Sequence, residues 1–305
     1  MAALIWAPEI GLAAFWNVLI PVAPALLALA PGLWRNICPL ATTAMLPHRL
    51  GLSLGRRLSE RGQVALFALA ILLLLLVVPY RHVTLNTDGP ATGILVATLA
   101  LAAFLLGLAF QSKSGWCSSL CPVHPVERLY GPAPIASLSN AHCGNCRLCV
   151  RTCPESTTDG NGTLFTLFVG CFPGFVWGFF QVADGSGVKT AYGYPLVGAG
   201  VTLASLIAFR SLLPTRHHRI LVRAWATLAI SCYYWYRIPM LFGFGDFGDG
   251  MLVDLRGSLP EFLPWASRGA TTAFFAWWLM ARYAVRRSWT VRPPIASTAA
   301  QPVRV

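Results

Sequence analysis

The stretch Val64 to Tyr80, VALFALAILLLLLVVPY, carries no charged residue and holds an unbroken aliphatic run from Ile71 to Val78. A helix needs about 20 apolar residues to cross the hydrocarbon core of a bilayer, with about 17 to 25 tolerated, so this stretch reads as a membrane span. Six further runs of the same character lie on either side of it: about Leu12 to Leu33, Gly93 to Phe110, Leu164 to Ala183, Tyr192 to Phe209, Ala224 to Gly243 and Phe262 to Tyr283. Pro173 and its neighbouring glycines weaken the fourth run in chain order. Lipid tolerates such breakers where adjacent helices re-satisfy the backbone.

Composition supports the same solvent. The 305 residues are 56% hydrophobic and only 11% charged, with a mean hydropathy of +0.61, whereas a soluble domain has about 25% charged residues. The expected fold is therefore an all-α polytopic membrane protein of about seven transmembrane helices. Its expected divisions are helices with their first loop over 1–110, a connecting segment over 111–163, further helices over 164–291, and a tail over 292–305. The tail is rich in Pro, Ala, Ser and Thr without periodicity, a composition that favours disorder. Met1 to Pro8 hold no Lys or Arg, so the first apolar run is read as a retained helix and not as a cleaved leader.

The formal charge of +12 would suggest a nucleic-acid partner in a soluble chain. Here the basic residues sit between apolar runs, where they orient helices. Eighteen of the 23 follow the first, third, fifth and seventh runs, while only Arg81, Lys189 and Arg256 lie on the opposite side. The positive-inside rule then places the N-terminus outside and the C-terminus, with segment 111–163, in the cytoplasm of a bacterial inner-membrane protein. Arg237, among the aromatics of YYWYRIPM, is expected to snorkel to the outer interface. The acidic outer loops around Asp246, Asp249, Asp254 and Glu261 read as solvated, or as a docking face for a basic partner.

Cysteine spacing carries the chemistry. Cys143, Cys146, Cys149 and Cys153 followed by Pro154 spell C-x2-C-x2-C-x3-C-P, the bacterial ferredoxin run whose thiolates hold a [4Fe–4S] cluster. Zinc also accepts four thiolates, but its usual pattern is two separated pairs, and a disulfide framework does not suit a reducing cytoplasm. The fourth cysteine of such a run often serves a second cube. Thiols for that cube exist at Cys117 and Cys121, and at Cys38, each of the last two also followed by proline. The expected arrangement is Cys143, Cys146 and Cys149 on one cube with Cys121 as fourth ligand, and Cys153, Cys117 and Cys38 on the other. Cys171 would complete eight thiolates, and Cys232 is assigned to packing.

The string Gly115-Trp116-Cys117-Ser118-Ser119-Leu120-Cys121-Pro122, directly after an apolar run, resembles the C-x3-C-P motif of membrane polyferredoxin-like proteins of the NapH and NosR type. The resemblance covers about Trp34 to Pro154. It implies cytoplasmic iron–sulfur electron transfer in service of periplasmic nitrate or nitrous-oxide reduction, a related group assisting copper-oxidase assembly. The chain departs from that pattern at Trp34, where an earlier cysteine would stand, and in having one ferredoxin run where many relatives have two.

Arg147 and Arg151, inside the run, are placed to stabilise a reduced cluster. No histidine falls within a span and no C-x-x-C-H occurs, which argues against haem as the route across the bilayer. The expected partners are therefore a quinone, for which His124 is a candidate hydrogen-bond donor, and other subunits of a respiratory or assembly complex. No phosphate-binding loop or hydrolase motif occurs, which removes ATP-driven and common hydrolytic chemistry. The expected function is an electron-transfer component linking the quinone pool or a cytoplasmic donor to a respiratory partner, not a stand-alone enzyme. Two alternatives stay open: a maturation factor that reduces a metal or thiol for another enzyme, and a redox sensor or structural subunit.

Overall fold

A computed structural model describes residues 2–131, 134, 162–247 and 250–282. Among these the chain is helical, apart from an isolated bridge between Arg56 and Phe110. Among the described residues, five helices are long and apolar enough to cross a membrane: Pro8–Leu29, Glu60–Leu85, Gly89–Ala109, Gly162–Phe179 and Val188–Leu212. Each coincides with one of the first five apolar runs. The first ends at Leu29 and not near Leu33, because Ala30 leaves helical geometry ahead of Pro31 and a new helix, Pro31–Ile37, begins there. A residue that precedes proline is sterically driven out of the α region.

The sixth and seventh expected spans are helices too. His218–Leu241 has the length of a span but carries Arg219, Arg223 and Arg237, and Leu263–Ala276 continues through a widened turn, Trp277–Ala281. Composition alone does not mark either as membrane-crossing.

The chain clusters into two compact units. The first comprises Met1–Pro24, Leu75–Ala97 and Thr166–Tyr283. Its interior is aromatic: Phe180 stacks on Tyr236 with centroids 5.2 Å apart, and Tyr234 stacks on Phe275 at 5.3 Å. The Tyr234 hydroxyl also donates to the Pro21 carbonyl at 2.8 Å, so the ring's polar tip is satisfied within an apolar setting.

The second unit comprises Ala25–Leu74, Thr98–Phe165 and Ala284–Val305. Here Pro39–Arg49 packs on Gly89–Ala109 through small residues, with Ala41, Ala44 and Ala103 fully buried. A Cβ at Gly107 would collide with the Ala44 carbonyl oxygen. Glycine is what permits the two backbones to approach this closely.

Candidate functional site

Two Cys-Pro steps shape the site in the second unit. Cys38 sits between Pro31–Ile37 and Pro39–Arg49 with φ −64° and ψ 120°, the extended geometry that a following proline imposes. Its N–H bonds back to the Trp34 carbonyl at 2.9 Å, so the cysteine stands at the corner between two helices. Cys121 repeats the device. It ends the widened turn Trp116–Leu120 at φ −57° and ψ 126°, before Pro122. Within that turn the Cys121 N–H reaches the Trp116 carbonyl five residues back at 2.9 Å. A turn of this width brings Cys117 and Cys121, four apart, toward one side.

The fold gathers these thiols. Cys117 and Cys121 are buried with Ala41, Ala44, Ala103 and Trp116, and Cys38 packs against the same cluster. Burial pushes the Cys38 thiol above its ordinary pKa, the Cys117 thiol well above it, and the Cys121 thiol up to about 12. All three are therefore neutral at physiological pH unless a metal takes the proton's place.

Cations lie beside them. Arg35 is 2% exposed and donates from Nε and Nη2 to the Glu127 carboxylate at 2.7 and 3.0 Å, a bidentate pair, and from Nη1 to Ser118 Oγ at 3.2 Å. Lys113 Nζ donates to the Arg35 carbonyl at 3.0 Å. Burial works to raise the Glu127 carboxyl, but the Arg35 charge and the contact with His124 outweigh it and hold the group below its ordinary value.

Among the described residues, two buried side chains at this site have polar atoms without hydrogen-bond partners: Trp116 at Nε1 and His124 at both ring nitrogens. His124 Nδ1 lies 3.9 Å from Glu127 Oε2, too far for a hydrogen bond. Burial holds the His124 ring below its ordinary pKa against the pull of Glu127. Orphaned buried N–H groups are rare in native structures, and N–H donors are what a sulfur-rich, negatively charged cluster accepts from its surroundings.

Thiols gathered beside buried, unpartnered N–H groups are a donor set that fits an iron–sulfur group. Among the described residues no three Cys, His, Asp or Glu side chains converge as one metal ion would require. A cube takes one thiolate at each of four irons, so its ligands stand apart. Cys143, Cys146, Cys149 and Cys153, with Arg147 and Arg151, lie outside the described residues.

Cys171 and Cys232 belong to the first unit. Cys171 belongs to Gly162–Phe179 in the first unit, and Cys232 packs there against the cluster of Val176, Phe179 and Phe180. His48 Nε2 contacts the Phe110 carbonyl at 3.0 Å, and His218 Nε2 contacts the Arg210 carbonyl at 3.1 Å, both structural roles. Arg237 does not snorkel: it is 5% exposed, donating to the Trp16 carbonyl at 2.7 Å and Asn17 Oδ1 at 2.6 Å. Sequence reading missed the Arg35–Glu127 pair, whose members are 92 positions apart. The one signal for it was Arg35 itself, a charge only three residues before Cys38.

The chain is similar, at 41% identity over 61 residues, to the methylamine utilization ferredoxin-type protein MauN of Paracoccus denitrificans (strain Pd 1222). That match covers 19% of this chain and 21% of MauN. No protein-family model and no solved structure matches the chain.

Proposed function

We propose that the chain is a membrane-bound iron–sulfur protein that transfers single electrons at the cytoplasmic face, between the quinone pool or a cytoplasmic donor and a respiratory partner. The observation that carries this reading is the packing of half-buried Cys38 against the buried Cys117 and Cys121, beside Arg35 and Lys113. The ferredoxin run of the sequence and the ferredoxin-type description of MauN support it. On this reading Cys38, Cys117 and Cys121 serve one [4Fe–4S] cube with Cys153 as the natural fourth ligand. Cys143, Cys146 and Cys149 hold another. Gathering Cys121 with Cys38 and Cys117 favours this division over one that sends Cys121 to the first three thiols of the run.

When bound, such a cube supplies one-electron chemistry. The protein's part is electrostatic. Arg35 and Lys113 offset the negative charge of a thiolate-ligated centre, which favours its reduced form, while Glu127 keeps the buried guanidinium paired and fixed. Trp116 and His124 offer N–H groups within the same buried surroundings. Burial by Trp116 and the alanine-lined helix crossing keeps water away, and exclusion of solvent is one of the levers that set the potential of such centres.

Anaerobic redox titration tests the function. Protein purified under nitrogen is expected to show reversible one-electron reduction, with a paramagnetic signal from the reduced form that disappears on reoxidation. A centre that neither accepts nor returns electrons would reduce it to a structural element and overturn the proposal.

The proposal includes about seven spans with the clusters cytoplasmic. A reporter fused after Arg287 is then expected to read cytoplasmic and one fused near Asp249 periplasmic, from the eighteen-to-three asymmetry of basic residues. Reversed readings would invert the topology.

A further inference from the structure

The first unit holds a cavity of about 290 Å³ that the cysteine chemistry does not use. Two arginines face it, Arg81 near the end of Glu60–Leu85 and Arg237 near the end of His218–Leu241. Both are buried, at 7% and 5% exposure.

Arg81 lies with its guanidinium 4.0 Å from the Trp16 ring centre and 5.2 Å from that of Phe179. It donates from Nε to Asn86 Oδ1 at 3.0 Å, and its terminal nitrogens have no acceptor among the described residues. Arg237 donates through Nη2 to Trp16 and Asn17, and through Nη1 to the Met240 sulfur at 3.2 Å. Neither guanidinium forms an ion pair among the described residues.

Among the described residues, the acidic side chains that face the cavity are Asp184 and the exposed Glu9. Asp184 is already engaged: His82 Nδ1 contacts its Oδ1 at 2.7 Å, and Asn86 Nδ2 donates to the same oxygen at 2.6 Å. The other nitrogen of His82 contacts the Phe179 carbonyl at 2.9 Å, so the imidazole has no nitrogen left for a ligand. Two buried like charges around one cavity, without a carboxylate bonded to either, are stabilised by an anion placed between them. Asp184 offsets part of this charge without bonding to either guanidinium, and a neutral carbonyl ligand would leave the rest uncompensated.

We propose that this cavity binds a phosphate group, held between Arg81 and Arg237. Guanidinium forks match phosphate oxygens in pairs, and an acceptor with several oxygens can satisfy two forks at once. Gly250, at φ +69°, closes one side: a Cβ there would come within 2.6 Å of Arg237 Nη1. The volume suits a headgroup or a small phosphate, and is below the range of about 300–1,000 Å³ typical of drug-sized ligands. The position at span ends admits two sources of the same chemistry, the phosphate of an anionic phospholipid and a soluble phosphate. This site is argued independently of the iron–sulfur reading.

The full chain in detergent, stripped of lipid, tests it by thermal unfolding under two probes: inorganic phosphate at constant ionic strength, and short-chain phosphatidylglycerol. Saturable stabilisation by at least one probe is expected, since a ligand of the folded state raises its stability. Inorganic phosphate acting alone identifies a soluble source, and the lipid acting identifies a headgroup. Arg81→Gln and Arg237→Gln are each expected to weaken that binding about tenfold or more, the scale of one lost charge-assisted contact. Ala13→Phe fills the cavity and leaves both arginines in place, so it is expected to do the same even where an arginine variant fails to fold. Stabilisation by neither probe beyond matched chloride would overturn the proposal, as would equal stabilisation of Ala13→Phe and the unmodified protein.

Discussion

Cys146→Ser is expected to remove about half of the bound iron or more, with the matching visible absorbance, while Cys232→Ser leaves both unchanged. The middle cysteine of C-x2-C-x2-C stands where a single tight loop wraps a cube, and that cube loses one of its protein ligands with that sulfur. Hydroxyl oxygen is a poor substitute for thiolate at these irons. Cys232, in contrast, packs beside Val176, Phe179 and Phe180, where sulfur acts as a small hydrophobe. Its replacement by serine introduces a hydroxyl into apolar surroundings and costs on the order of 1–3 kcal/mol of stability, without touching metal content. Iron and absorbance measured on the two purified variants check this. Equal losses in both would mean that packing had been mistaken for ligation.

Glu127→Gln is expected to destabilise the protein by about 3–5 kcal/mol, the usual cost of stranding one partner of a buried ion pair. The carboxylate takes two hydrogen bonds from Arg35, which is 2% exposed and also donates to Ser118 Oγ at 3.2 Å. An amide can accept one of those bonds but cannot neutralise the guanidinium. Thermal unfolding in detergent measures the loss. The paired replacement Arg35→Met with Glu127→Leu is expected to recover most of it, because exchanging a buried ion pair for apolar groups of similar volume is often neutral or better. Asp254→Asn serves as the control. Its pair with Arg256 is exposed and solvent screens it. If the single variant unfolds like the unmodified protein, the pair does not organise the cysteine site.

What could be read in advance follows from the range of the forces involved. Hydropathy is local, so Val64 to Tyr80 announces the helix Glu60–Leu85, and the remaining apolar runs likewise coincide with helices. Proline sterics are also local, which is why Cys38-Pro39 and Cys121-Pro122 already encode the extended corners that the fold uses. Charge pairing across the chain is not local. Arg35 finds Glu127 at a separation of 92 positions, and Arg237 finds Asn17 at 220, so neither partner is marked in the neighbourhood of the other. Arg237 therefore read as an interfacial residue on its own helix, when its shortest hydrogen bonds reach Trp16 and Asn17 on the first one. The same reasoning covers His82, which looked like a loop residue and is instead buried between Asp184 and the Phe179 carbonyl. At the sixth run the arginines of His218–Leu241 dilute a helix whose length alone would suffice, so composition leaves it unmarked.

Metal and acid-labile sulfide analysis of anaerobically purified protein, on the unmodified chain and on Cys117→Ser, tests the central claim most directly. Two cubes held by thiols from the gathered cysteines and the ferredoxin run predict about eight irons and eight sulfides per chain, falling to about four of each in Cys117→Ser. Stoichiometric zinc without sulfide, or an iron content that Cys117→Ser leaves untouched, would contradict it.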